Sequence, residues 1–516
     1  MREYDTLPSG PTCAVTNVFV HTCKYGPMRS GVLYGMLSRM SAIEPHSIER
    51  NWCCLHCRVP LIGGDRGFTC PNCDKHYPVI DGVLIFASEP AGFLQAELLQ
   101  IRRAAANARH RRERIESLGR EVGLSAVSLD RCREVIEAEI ARTEMFLAAL
   151  EPAAKALDAM PASEAESVGV WRSSGTYGTF FPYLLRDWTN TPELVTVSSL
   201  IDAVVEEVVP DPSRKTIVFP GCGAGGLLAA ISSRFERAVG YDLALPMLCI
   251  ARHLLDGKGL DMILPTVLNA AGRVALRKPD SANVRSELVA MDVLNTAFPD
   301  GSVDCVVTQF LIDLFPDPRK LADEVYRMLG DDGVWINFGP SGPVDALRRF
   351  DETECAAFFE DSGFAVARSA AHRTTYLDLS HCCPSWNFRS QMCYLTSARK
   401  KDRRGVKPMP AMSLPDPSDL IPRHFPGATL VERQSLGDVT SSTIVLRHER
   451  IQGRSESFEI GHEVAFLIKF VDGKRSVQDI ASLAQERMPA RTFEKNAGDL
   501  LAFVEQGLLD WRARDR

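Results

Sequence analysis

The apolar positions change period several times along the chain. Between Phe93 and about Ala159, Leu94, Leu98 and Ile101, then Val135, Ile136, Ile140, Phe146, Leu147 and Leu150, recur at helical spacing with few Gly or Pro. This spacing predicts two or three long helices. After Pro210 short apolar runs alternate with amphipathic ones: TIVFP, GCGAGGLLAAISSRF, AVGYDL, PMLCIARHLL, ELVAMDV, VDCVVTQFL, KLADEVYRML and GVWINFG. Alternation of this kind, with apolar strands, predicts an α/β unit whose parallel sheet is covered on both faces. Beyond Lys400–Arg404 the proline-rich KPMPAMSLPDPSDLIP reads as a linker. Strand-like ATLVER, STIVLRHER and ESFEI follow it, then helical HEVAFLIKF, a turn at Val471-Asp472-Gly473, SVQDIASLAQERM with Ser476 and Asp479 placed as a capping box, and DLLAFVEQGLLDW. Short strands followed by three helices describe a small winged-helix-like unit.

Residues 1–50 show little periodicity and are expected to be poorly ordered. Their apolar run NVFVHTC is too short to span a bilayer, and Lys24 and Arg29 follow it where an export signal has its charges in front. Met36 and Met40 leave room for a later start.

Charge and cysteine content narrow the function classes. The 516 residues hold 59 Lys plus Arg against 66 Asp plus Glu, a net charge of -7 that argues against coating nucleic acid or an anionic membrane. The arginine run IRRAAANARHRRERI reads as a solvated helix face, because acids return at Glu113 and Glu116 and no aromatic side chains interleave. Fifteen cysteines, an odd number, point to a reducing, cytoplasmic setting.

Four of the cysteines fall into two CxxC pairs, Cys54/Cys57 and Cys70/Cys73, with 12 residues between the pairs. Two tight turns presenting two thiolates each can close a tetrahedral sulfur site for Zn2+, and a closed shell leaves no position for water, so the site is read as structural. The string CxxCx12CxxCxxxYPVIDGV over residues 52–87 resembles the zinc ribbons of activator subunits of tRNA methyltransferases.

The strand TIVF opens at Pro220 into Gly221-Cys222-Gly223-Ala224-Gly225-Gly226, where glycines allow a sharp turn and close backbone approach to a ligand. Asp242 lies about twenty residues on, at the end of the next strand, where a carboxylate can take two ribose hydroxyls. Nicotinamide sites share this much. Met291-Asp292-Val293 after the third strand, then FPDGSVD and VDCVVTQF, resemble class I S-adenosylmethionine methyltransferases, with a Rossmann-like fold and Asp292 as the acid that contacts adenine. Pro220 departs from the acid many such enzymes have there.

Arg186-Asp187-Trp188, Phe219–Gly225, Phe310-Leu311-Ile312-Asp313, Gly333–Pro340 and Thr374-Thr375-Tyr376 together resemble the carnosine N-methyltransferase family over residues 170–400. The resemblance implies methyl transfer to an imidazole nitrogen, with Asp313 holding the imidazole, Phe310 and Tyr376 beside the substrate, and Arg186, Gly221, Gly223, Gly225, Asp242 and Asp292 at the cofactor. A carboxylate accepting the second ring N–H would fix the tautomer and stabilise the imidazolium product. As an alternative, Asp313 caps the helix near Pro316–Leu329.

Trp386 and Phe388 stand where the family has alternating tyrosines, and either line the substrate site or pack in the core; Val344 beside Asp345 replaces a family histidine. These departures turn the reading away from carnosine itself as the substrate. His372 and His381-Cys382-Cys383 lack a partner pair at ligand spacing and read as packing or surface residues.

Residues 440–512 resemble PqqD-like domains, which bind leader peptides in ribosomal-peptide modification, so the resemblance implies a peptide partner. Packing against the catalytic domain is the structural alternative. The chain divides on this reading into residues 1–50, a ribbon at 51–88, a helical segment at 89–168, a methyltransferase domain at 169–400, a linker at 401–427 and a peptide-recognition domain at 428–516. The expected function is S-adenosylmethionine-dependent methylation of a histidine imidazole in a peptide. A free imidazole metabolite or RNA as acceptor, and a non-catalytic scaffold, are the alternatives.

Overall fold

The computed structural model describes residues 52–513 apart from 65, 161–176, 265–271, 279–285, 316–317, 341–350, 380–388, 402–417, 425–428, 435–441, 452–453, 461–466, 488–491 and 506–509. Residues 1–50, Val344, Asp345, His381–Cys383, Trp386, Phe388 and most of the expected linker lie outside the described residues.

Four strands begin the described chain: β1 (Ile62–Gly64), β2 (Gly67–Thr69), β3 (His76–Ile80) and β4 (Val83–Phe86). Between β3 and β4, Asp81 and Gly82 stand at φ 48° and 77°. Two left-handed residues in a row give the hairpin turn whose twist matches its strands, which is why Asp-Gly suits this position.

Helices α1 (Pro90–Glu121), α2 (Ala126–Ala149) and α3 (Glu151–Asp158) follow, with Ser125 capping α2 by accepting the Ser128 N–H at 3.1 Å. The arginines of α1 are matched by acids on α2: Arg109 with Glu144, Arg111 with Glu139 and Arg112 with Glu137, while Glu116 takes Arg133. The descending numbers define an antiparallel hairpin. Exposed pairs of this kind are weak and screened by solvent, so the run serves to align two helices and solvate them.

The central elements are α4 (Tyr177–Trp188), α5 (Pro192–Val208), β5 (Thr216–Pro220), α6 (Gly226–Ile231), β6 (Arg237–Asp242), α7 (Leu245–Leu255), β7 (Leu260–Leu264), β8 (Gly272–Leu276), β9 (Glu287–Met291), β10 (Val303–Gln309), α8 (Arg319–Met328), β11 (Leu329–Gly339), α9 (Glu352–Asp361), β12 (Phe364–Tyr376) and β13 (Arg389–Lys400). The antiparallel pair β7–β8 has no counterpart in the sequence expectation.

Eleven strands share one sheet in the order β1-β2-β3-β4-β9-β6-β5-β10-β11-β13-β12. The run β4-β9-β6-β5-β10-β11 is parallel throughout, and pairing turns antiparallel beyond both ends of it. One face is covered by Leu98, Phe146, Leu184, Val197 and their neighbours, the other by Trp52, Tyr77, Phe298, Phe359 and theirs. The cysteine-bearing segment therefore belongs to the sheet: β4 pairs with β9 from Val83 opposite Leu288 to Phe86 opposite Met291.

The chain ends in β14 (Leu420–Arg423), β15 (Thr429–Gln434), β16 (Ser442–Ile451), β17 (Arg454–Ile460), α10 (Val477–Arg487), α11 (Phe493–Glu505) and β18 (Asp510–Ala513). β15–β16–β17 form an antiparallel meander, and β14 pairs with β18. The expected capping box is present, since Ser476 Oγ accepts the Asp479 N–H at 3.1 Å and Asp479 accepts the Ser476 N–H at 3.0 Å. No described helix is long and apolar enough to cross a membrane.

Candidate active site

Four neighbouring parallel strands, β9, β6, β5 and β10, end at the same edge of the sheet and deliver Asp292, Asp242, Gly221 and Phe310 to it. Ligands of open α/β sheets bind at this edge. Gly221, Gly223 and Gly225 all have positive φ, at 62°, 54° and 81°. A Cβ at Gly221 would lie 2.7 Å from Leu311 Cδ1, which brings the turn after β10 against the loop, whereas a Cβ at Gly223 would meet nothing within 4 Å. That open space beside a bare backbone fits a ligand lying along the loop.

Asp242 fixes the loop from the adjacent strand. Its Oδ2 accepts the Gly223 N–H at 2.9 Å and its Oδ1 accepts the Ala244 N–H at 2.8 Å. Each carboxylate oxygen retains lone-pair capacity for a hydroxyl donor. Asp292 is turned in the same way, its Oδ1 accepting the Leu294 N–H at 2.9 Å, and desolvation raises its carboxyl above the usual range.

Behind the loop lies a buried charged layer that sequence reasoning had only partly assigned. Arg186 Nε donates to Asp187 Oδ1 at 2.7 Å, and the other Asp187 oxygen accepts the Gly226 N–H at 3.1 Å. Trp188 Nε1 donates to the Ala224 carbonyl at 2.9 Å, so the Arg-Asp-Trp run holds the loop by side chains of two consecutive residues. Glu193 lies 4.0 Å from the Arg186 guanidinium and accepts the Leu377 N–H; burial raises its carboxyl, against the pull of Arg186. Burial opposes the Arg186 charge, but Asp187 and Glu193 outweigh it and hold the guanidinium protonated. Asp187 and Trp188 belong to the Arg186-Asp187-Trp188 motif, whereas Glu193 carries no sequence signal.

An aromatic group stands beside the strand ends. The Phe310 and Tyr376 rings meet edge to face at 5.0 Å, and Tyr376 Oη hydrogen-bonds Tyr183 Oη at 2.9 Å. Tyr183, three residues before Arg186 on the same helix, has that guanidinium 5.3 Å from its ring centroid. Phe310 stands at φ 51°, a strained position for a bulky residue. Its N–H donates to the Phe338 carbonyl at 2.9 Å, and a Cβ at Gly339 would come within 3.0 Å of that nitrogen. Asp313, half-buried, follows in the short turn Ile312–Leu314. α8 starts only at Arg319 with Pro318 before it and no side-chain cap, so Asp313 does not cap that helix.

Away from this edge, the ligand atoms of Cys54, Cys57, Cys70 and Cys73 all lie within 4.8 Å of one another. Backbone N–H groups of His56 and Cys57 point at Cys54 Sγ at 3.4 Å each, and that of Asn72 at Cys70 Sγ at 3.4 Å. Burial alone would raise the Cys54 thiol, but the Tyr77 hydroxyl and the N–H groups of Cys57 and His56 bring it down to about 6. Four convergent sulfurs with N–H donors fit a structural Zn2+.

Residues 219–336 match the family model described as "Methyltransferase domain". A phosphatidylethanolamine N-methyltransferase of Cereibacter sphaeroides is 28% identical over 181 residues, 34% of this chain and 81% of that protein. A carnosine N-methyltransferase of Mus musculus is 22% identical over 183 residues, 30% of this chain and 44% of that protein. Among solved structures, a Haemonchus contortus phosphoethanolamine N-methyltransferase in complex with phosphomonomethylethanolamine and S-adenosylhomocysteine is 14% identical, covers 44% of this chain and 58% of that one, and has a TM-score of 0.31. The chain carries a class I S-adenosylmethionine-dependent methyltransferase domain.

Proposed function

We propose that the protein methylates an imidazole nitrogen of a histidine held in a peptide, and that the unit formed by residues 428–516 captures the leader of that peptide. The observation that carries the first part is the order of groups after β10: Phe310, held in a strained backbone against Tyr376, then Leu311 against the cofactor loop, then Asp313. An aromatic wall and a carboxylate beside a methyl donor suit a flat ring with two nitrogens.

S-adenosylmethionine, when bound, supplies a methyl group on a sulfonium for in-line displacement. Asp242 would hold the ribose hydroxyls and Asp292 the adenine amine. The loop from Gly221 to Gly225 would lie along the donor. Asp313 would accept one ring N–H, leave the lone pair of the other nitrogen aimed at the methyl group, and stabilise the positive charge the ring acquires. Phe310, Tyr376 and Tyr183 would exclude water and fix the ring plane. For the second part, β15 and β17 each have one neighbour in their described three-stranded sheet, so each offers an edge to which an extended peptide can add.

The test is turnover by the full chain with S-adenosylmethionine and a panel of histidine-containing peptides, read by mass spectrometry with the modified residue located. Asp313→Asn is expected to keep cofactor affinity and lose about 100-fold or more in turnover. Unchanged turnover removes Asp313 from the chemistry, and methylation of free imidazole compounds in preference to every peptide assigns a metabolite acceptor.

A further inference from the structure

The segment after Asp292 is held from the cysteine cluster. Cys53 and Arg58 flank the first cysteine pair, one on each side. The Cys53 N–H donates to the Ala297 carbonyl at 2.7 Å, and the Arg58 guanidinium donates to Asn295 Oδ1 at 2.8 Å and to the Thr296 carbonyl. Arg58 takes its place from the cysteine turn itself: it stands at φ 58° with its N–H donating to the Cys54 carbonyl at 3.0 Å. Trp52, next to Cys53, packs on Phe298 and Phe86 with centroids 4.9 and 5.1 Å away, and Phe86 pairs with Met291, the residue before Asp292. Glu324 accepts both the N–H and the hydroxyl of Thr296 at 2.7 Å.

We infer that Arg58 is a positioning residue for the cofactor site: metal held by the four cysteines fixes Arg58 and Cys53, these clamp residues 295–297, and the clamp holds Asp292 at the adenine end of the donor. The inference rests on the reading of Asp292 as a cofactor residue. Opening of the cysteine turn releases both flanking donors together, so cofactor affinity and metal affinity are coupled. The coupling is reciprocal by thermodynamic necessity.

Calorimetry on the full chain, with zinc content checked by mass spectrometry, tests this. Arg58→Ala at full zinc content is expected to bind S-adenosylmethionine about tenfold more weakly. The loss should be the same for 5′-methylthioadenosine, which has the adenosine but no methionine. Arg58→Lys, able to reach one acceptor of the two, should lose less. S-adenosylhomocysteine should lower the zinc Kd by the factor by which zinc lowers its own. Wild-type affinity in Arg58→Ala, or a zinc Kd that S-adenosylhomocysteine leaves unmoved, overturns the clamp alone; failure of the zinc-loaded wild-type chain to bind either adenosine ligand overturns the cofactor reading with it. Should Arg58→Ala not fold, Asn295→Ala removes the acceptor on the loop side and supplies the same comparison.

Discussion

Glu324 links the chemistry of single side chains to the cofactor edge. Burial alone would raise its carboxyl, but hydrogen bonds from Arg327 and from Thr296 hold it below its ordinary value of 4.5. A carboxylate lowered in the folded state adds stability that is fully present above 4.5 and is lost as pH falls through the folded value. The urea midpoint of the wild-type chain should therefore fall between about pH 5.5 and about pH 3.5 by more than that of Glu324→Gln. Equal falls would show that the Thr296 contact is indifferent to charge. Such partners were invisible in the sequence because they are distant along it: Arg58 reaches Asn295, and Glu193 reaches Leu377. Gly221, Gly223, Gly225, Asp242 and Asp292 were legible because local requirements select them, a positive φ for the glycines and a strand end for the acids. Tyr183 had a weak signal, its helical spacing from Arg186.

The elements were legible where one period dominates. The apolar strands and the long helices of residues 90–158 follow directly from their patterns, and the Asp-Gly turn marks the β3–β4 hairpin. The pair β7–β8 was missed because LDMIL and GRVAL are short and carry a charged residue each. The arginine run shows how composition misleads taken alone: its partners lie on the next helix, at positions a reading of one helix does not reach. At the carboxyl end, the meander and the capped helix α10 form the elements to which leader capture is ascribed. A chain ending at residue 417 should methylate an isolated core peptide as the full chain does, and lose most of its preference for the same peptide carrying its leader. Equal loss on both substrates would make this unit a structural support.

The whole molecule joins parts that the sequence presents as separate segments. Two CxxC pairs announce a ribbon, but nothing in their spacing says that β4 extends the parallel sheet beside β9. That pairing is a property of two strands some two hundred residues apart, settled by which apolar edge is left to cover. Its consequence is that one sheet carries the cysteine cluster, the strand ends that present Asp242 and Asp292, and the Phe310–Tyr376 pair, so that the proposed donor and acceptor sites share one support. Titration of S-adenosylmethionine into the full chain by calorimetry tests this most directly. One site is expected, lost in Asp242→Ala because that carboxylate turns the Gly223 loop and is the residue proposed to hold the ribose hydroxyls; no binding by the wild-type chain, or undiminished binding by Asp242→Ala, would contradict it.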